Sequence, residues 1–229
     1  MLSAFRGIAQ EEQDAAEPLV SVRHNRSKRL FDIVFAGAAL LFLSPALLLI
    51  ALALLIVDGR PLIYRHTRIG HGGRQFRCLK FRSMRKDGDK RLAELFAREP
   101  EREQEWLAVR KLNNDPRVHT LGKFLRMTSA DELPQLINVL RGEMSIVGPR
   151  PIVHEELERY GPHVHYYLSM TPGVTGLWQV ERRCNTSYEQ RVQFDVDYYH
   201  TRSFSTDMHI LWKTVGVVLL ARNEKHLTK

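Results

Sequence analysis

The sequence predicts a mainly helical α+β protein: a membrane-entering helix near the N-terminus, followed by a small domain holding a β-hairpin and interfacial helices. Three observations predict it. No charged residue occurs from Ile33 to Val57, two strand-like runs flank His71-Gly72-Gly73, and helical periodicity dominates the rest. The 229 residues suit one compact domain with accessory segments. A formal net charge of +8 points to an anionic membrane surface, a phosphorylated substrate or nucleic acid. The long apolar run and the lack of any nucleic-acid-binding motif argue against nucleic acid. Cys78 and Cys184 give no disulfide framework, which suits a reducing compartment.

Residues 1–27 read as a mobile tail, acidic at first (Glu11, Glu12, Asp14, Glu17) and then basic (Arg23, His24, Arg26). Residues 28–58 form the membrane helix. Its Leu, Ile, Val and Phe content favours insertion by at most about 5–10 kcal/mol, and an interior proline costs about 3 kcal/mol, so insertion survives Pro45. A signal peptide is a poor fit, because the apolar run is too long, no small-residue cleavage site follows and the tail ahead of its basic flank is acidic. Pro45 clashes with the carbonyl of Leu41, and the Ser44 hydroxyl is placed to return a hydrogen bond there. Beyond Val57 come Arg60, Arg65, Arg68, Arg74, Arg77, Lys80, Arg82, Arg85 and Lys86 with no intervening acid. A spanning helix should be basic at one end only. Two basic ends favour a re-entrant helix broken at Ser44-Pro45, with an ordinary single span as the alternative.

Residues 59–229 make up the cytoplasmic domain. Leu62–Ile69 and Gln75–Met84 read as a hairpin, although Phe76, Cys78, Leu79 and Phe81 do not alternate cleanly. Residues 88–112 read as a helical insertion with a break at Pro100. Leu133, Leu136, Ile137 and Leu140 give a short helix from about Asp131 to Gly142. Met208–Leu220 is an apolar helix, either core or interfacial, with the interface favoured by the Arg222 and Lys225 that follow.

The sharpest local feature is Thr128-Ser129-Ala130-Asp131-Glu132-Leu133-Pro134-Gln135. Taken alone, Ser129 and Glu132 match a capping box, and capping is the commoner meaning of such spacing. The chemical reading puts both carboxylates at a helix N-terminus, where one attacks a phosphate and the other holds a metal. The positive helix end should keep the attacking carboxylate ionised. Gly148-Pro149-Arg150-Pro151 stiffens a loop around one guanidinium, suited either to bidentate phosphate contact or to a plain connector. Pro172-Gly173-Val174-Thr175-Gly176-Leu177-Trp178-Gln179 is a second turn-rich element. His163 and His165 lack metal-ligand spacing, and there is no Walker A or dinucleotide fingerprint.

Together these segments resemble the bacterial monotopic polyprenyl-phosphate phosphoglycosyl transferases. The matching residues are Lys28-Arg29-Leu30-Phe31-Asp32, Ser44-Pro45, Leu79-Lys80-Phe81-Arg82-Ser83-Met84, Asp115-Pro116-Arg117 and Leu121-Gly122-Lys123-Phe124-Leu125-Arg126. They continue with Asp131-Glu132-Leu133-Pro134-Gln135, Val147-Gly148-Pro149-Arg150-Pro151 and Pro172 through Gln179. The likeness is greatest to the rhizobial-type galactosyl-phosphate transferases that prime exopolysaccharide. It implies a cytoplasmic catalytic domain on the bacterial inner membrane, a UDP-sugar donor and an undecaprenyl phosphate acceptor. It further implies Asp131 as nucleophile, Glu132 as ligand to Mg²⁺, and Arg126, Arg150, Arg183 and Gln179 as substrate-binding residues. Asp195 and Asp207 would be further metal-binding acids. A homodimer is compatible with it. Where the family reads Ser/Asn-Gly-Arg-Asn after Trp-x-Gln, this chain has Glu181-Arg182-Arg183-Cys184-Asn185, a departure that leaves a non-catalytic, membrane-attached interaction protein as the competing reading.

Overall fold

The computed structural model describes residues 26–109, 112, 114–181 and 186–219. Helix α1 runs over Arg26–Asp58, with Pro45 inside it. The expected break at Ser44-Pro45 does not interrupt the helix. Pro45 cannot donate to the carbonyl of Leu41, and the Ser44 hydroxyl donates to that oxygen at 2.8 Å instead.

Both ends of α1 are bonded to the rest of the molecule. Lys28 Nζ meets Asp207 Oδ2 at 2.6 Å. Arg29 donates to the carbonyls of Val139 and Leu140 at 2.6 and 2.8 Å, and the buried Asp32 accepts the Ile146 N–H at 3.0 Å. At the other end, Arg82 Nη2 donates to the carbonyls of Asp58 and Gly59 at 3.0 and 2.7 Å, and lies 2.7 Å from the Asp58 carboxylate. Between these anchors Ala36 and Leu54 are buried, whereas Leu41 and Phe42 are 78% and 85% exposed. One face of α1 thus packs on the domain while the other carries an uncovered apolar band.

Strands β1 (Ile63–Ile69) and β2 (Gln75–Phe81) form the expected antiparallel hairpin, with Ile63 opposite Phe81 and Ile69 opposite Gln75. The irregular alternation in β2 has a simple cause: the strand is buried on both faces. Phe76 and Cys78 join the main core with Leu136, Val139, Ile146 and Tyr198. Phe81 turns the other way, into a cluster with Leu54 and Leu125. Helices α2 (Gly88–Arg98) and α3 (Pro100–Val109) make the insertion and separate at Pro100, as its φ restriction and missing N–H require.

Helix α4 (Thr120–Met127) is capped by His119, whose Nδ1 accepts from the Gly122 N–H at 2.9 Å. Helix α5 (Gln135–Arg141) ends at Gly142 in the left-handed conformation. It is shorter than expected at its start. Ala130–Glu132 forms a separate 3₁₀ turn, and Leu136 and Ile137 donate to the carbonyls of Leu133 and Pro134, three residues back. With no N–H at Pro134, the chain enters α5 through tight 3₁₀ bonds.

The remaining elements are β3 (Ser145–Val147), α6 (Val164–Leu168), β4 (Gly173–Thr175), α7 (Leu177–Glu181), α8 (Tyr188–Thr201) and α9 (Phe204–Leu219). Strands β3 and β4 pair in parallel, Ser145 with Gly173 and Val147 with Thr175. The sequence reading assigned neither segment to a strand. Glycine makes the pairing feasible: a Cβ on Gly173 would lie 2.1 Å from the Gly148 nitrogen, and one on Gly176 would lie 2.2 Å from the Gly148 carbonyl. Helix α9 buries Ile210 and exposes Phe204, Trp212 and Val215, so it is both a core helix and a surface apolar one.

Candidate active site

A cleft of about 390 Å³ lies where the 130–132 turn, the end of α4, the 148–151 loop, β4, α7 and α9 converge. Arg126, Asp131, Glu132, Arg150 and Gln179 all line it, joined by Thr128, Ser129, Thr175, Thr214 and Val217. Five residues singled out from sequence are therefore brought together. Arg183 falls outside the described residues.

Asp131 is 8% exposed. Burial, reinforced by the neighbouring Glu132, raises its carboxyl from the usual range to about 6, against the opposing pull of Lys80 and Arg126. The sequence argument that a helix N-terminus keeps this carboxylate ionised needs correcting. The carboxylates precede α5 rather than occupying its first turn, and nearby cations supply the favourable field. Ser129 likewise makes no cap. It sits at φ 57°, ψ 15°, left-handed for a non-glycine residue, with no capping hydrogen bond from its side chain. Strained backbone of this kind persists where surrounding structure holds it, commonly beside functional groups.

Glu132 Oε1 accepts from Lys80 Nζ at 2.6 Å and stands 4.0 Å from Arg150 Nη1. A smaller recess of about 10 Å³, room for about one water or one anionic oxygen, adjoins the cleft. Arg68, Lys80, Glu132, Gln135 and Arg150 line it, so cations outnumber the carboxylate. Arg126 is steered by Ser83, whose buried hydroxyl accepts from its Nε at 2.8 Å. Gly122 permits that approach, since a Cβ there would sit 2.0 Å from the Ser83 carbonyl. Gln179 donates through Nε2 to the Val174 carbonyl at 3.0 Å, while its buried Oε1 has no donor among the described residues. An unpaired buried acceptor in a cleft wall suits a ligand hydroxyl.

Asp195 and Asp207 do not line the cleft. Asp195 is buried and accepts the Tyr160 hydroxyl at 2.7 Å, and burial raises its carboxyl to about 6. Asp207 accepts the Tyr198 hydroxyl at 2.7 Å and pairs with Lys28. In this structure each acid is engaged by a tyrosine hydroxyl that helps fix α8 or α9 to the core, away from the cleft. Among the described residues no group of three His, Cys, Asp or Glu side chains is arranged to hold a metal ion. The adjacent Asp131 and Glu132 still suit Mg²⁺, which takes one or two protein carboxylates and completes its shell with substrate phosphates and water.

Sequence reasoning left Lys80, Arg68 and Ser83 unassigned. The signal was present for Lys80, a lysine between buried Leu79 and Phe81 of a strand, where a charge needs a partner. The basic flank at 60–86 divides in use. Arg68, Lys80 and Arg82 are used internally, while Arg60, Arg65, Arg74, Arg77 and Lys86 remain exposed.

The family described as bacterial sugar transferase matches residues 23–221. The chain is 48% identical to the exopolysaccharide production protein ExoY of Rhizobium meliloti, covering 93% of this chain and 92% of that protein. It is 50% identical to an undecaprenyl-phosphate galactose phosphotransferase of Salmonella typhimurium, over 84% of this chain and 40% of the relative. It is 40% identical to a UDP-glucose:undecaprenyl-phosphate glucose-1-phosphate transferase of Escherichia coli, over 82% and 39%.

Proposed function

The chain belongs to the bacterial sugar transferase family, and from that premise we propose that it moves a hexose-1-phosphate, galactose-1-phosphate foremost, from a UDP-sugar to undecaprenyl phosphate. The observation carrying this reading is a buried carboxylate, Asp131, opening into a cleft lined by Arg126 and Arg150, with Lys80 in the adjoining recess. Phosphoryl transfer chiefly needs positioning and charge neutralisation, which this arrangement provides.

In the first step an Asp131 oxygen attacks the β-phosphorus, and the phosphoanhydride bond breaks with its electron pair leaving on UMP. In the second, an oxygen of the acceptor phosphate attacks the same phosphorus, frees Asp131 and leaves a lipid-linked diphosphate sugar. Arg126, held by Ser83, and Arg150 neutralise the diphosphate, and Gln179 Oε1 accepts from a sugar or ribose hydroxyl. Glu132, with Asp131 beside it, would hold Mg²⁺, whose charge further neutralises the diphosphate when bound. Arg183 would join the phosphate-binding set.

Helix α1 is read as a re-entrant anchor in the bacterial inner membrane, with the domain on the cytoplasmic face. Bonds from both of its ends to one domain support placing both ends on the same side, and the exposed Leu41–Phe42 band supports contact with lipid. The product would be the first lipid-linked unit of an exopolysaccharide.

The test is UMP release from a panel of UDP-sugars by purified protein with Mg²⁺ and polyprenyl phosphate. Release that requires lipid, metal and Asp131 is expected, with one sugar preferred. Absence of release from folded, membrane-inserted protein with every donor would reject catalysis and leave the interaction-protein reading.

A further inference from the structure

We infer that the ion pair between Glu181 and Lys213 is a strap that sets the width of the cleft between α7 and α9, and thereby which UDP-sugar fits. This rests on the transferase reading of the cleft. Gln179 and Val180 of α7 line the cavity, and Glu181 follows them directly. Thr214 and Val217 of α9 line it too, and Lys213 directly precedes Thr214. Lys213 Nζ donates to Glu181 Oε1.

Helix α9 is thus tied to the β4–α7 unit at two levels. The Thr175 and Thr214 hydroxyls share a hydrogen bond at 2.7 Å, and the Glu181–Lys213 pair closes the other tie. Only Lys213 and Glu181 of these four residues lie off the cleft wall, so they act on fit through the residues beside them. They are positioning residues.

Both charged side chains are about a third exposed, so the pair adds little to folding and is screened by salt. Its loss leaves the domain folded but lets the two walls separate. The departure at Glu181 noted in the sequence thereby acquires a partner and a task.

The experiment uses the full chain in lipid nanodiscs, comparing wild type, Lys213→Met, Lys213→Glu and the charge-swapped double variant Glu181→Lys/Lys213→Glu. KM and kcat are measured for UDP-galactose and UDP-glucose. Lys213→Glu is expected to raise the KM of the preferred donor roughly three- to tenfold, with kcat within about twofold and weaker discrimination between the sugars. The double variant should return toward wild type. Raising salt to about 1 M should raise KM by a larger factor in wild type than in Lys213→Met, because screening acts on the phosphate contacts in both but on the strap only in wild type. Wild-type KM and discrimination in both single variants, or a double variant no better than Lys213→Glu, would overturn the strap. If wild type releases no UMP from any donor, the transferase reading fails instead. Hydrogen exchange over residues 177–181 then decides the strap alone: faster exchange in Lys213→Glu, restored in the double variant, upholds it, and unchanged exchange overturns it.

Discussion

Asp131 and Asp195 make an instructive pair. Both are buried, and burial raises both carboxyls to about 6. Only Asp131 opens into a cleft, where Lys80 and Arg126 act on it. Asp195 is closed in, with the Tyr160 hydroxyl donating to it. A perturbed acid is therefore not in itself a sign of chemistry, since a structural hydrogen bond can hold one equally well. Access to a cleft separates the two, since Asp195 also has a cation, Arg191, acting on it.

The comparison breaks or holds first on paired amides. Asp131→Asn should lower turnover by about 10³-fold or more, because no oxygen of comparable nucleophilicity remains. Asp195→Asn keeps an acceptor for Tyr160 and should leave kcat within about fivefold. Equal losses in UMP release from the two variants would erase the distinction.

The closed acids carry the next effect. Asp207→Ala leaves the Tyr198 hydroxyl only its longer contact to the Val147 carbonyl, at 3.3 Å, and takes one partner from Lys28. It should cost about 1–2 kcal/mol of stability, allowing for the partial exposure of Lys28. Thermal unfolding in nanodiscs would show it. An unmoved melting temperature would show that the clasp between α1 and α9 contributes little.

Protonation sharpens the contrast further. The Asp131 carboxyl lies higher in the folded than in the unfolded chain, so folding is penalised where the group is ionised. The penalty is absent below about pH 4 and complete above about pH 6, amounting to about 3 kcal/mol. Asp131→Asn should therefore be more stable than wild type at pH 7.5 and equal to it near pH 4. For the same reason, wild-type kcat/KM should fall as pH drops through about 6, as the nucleophile takes up a proton. A pH-independent difference in stability would put the perturbation elsewhere. The smallest effect is at Ser83: Ser83→Ala should lower kcat/KM about three- to tenfold by loosening Arg126, and Ser83→Thr should recover most of that loss.

The apolar helix, the hairpin turning at His71–Gly73, the insertion divided at Pro100 and the stop at Gly142 were legible because each has a local cause. A charge-free run, a glycine turn or a missing N–H acts within a few residues. The parallel pairing of β3 with β4 was not legible. Strands of three residues have no usable period, and their pairing depends on Gly148, Gly173 and Gly176 meeting across distant segments. The gathering of Asp131, Glu132, Arg126, Arg150 and Gln179 on one cleft was legible in their residue types and motifs. The placing of Asp195 and Asp207 away from it was not, because nothing near them in sequence reveals which tyrosine will close over them. The left-handed Ser129 was hidden for a similar reason: its spacing to Glu132 fits a capping box that tertiary packing does not allow to form.

The anchors of α1 reach the very segments that build the cleft. Arg29 holds the end of α5, whose start follows the Asp131 turn, and Asp32 holds Ile146, two residues before Gly148. Seating of α1 on the domain and ordering of the cleft walls are thereby one event in folding. A copy in which α1 has not settled would lack the brace on these segments, so on the transferase reading whatever seats the apolar helix would also complete the cleft.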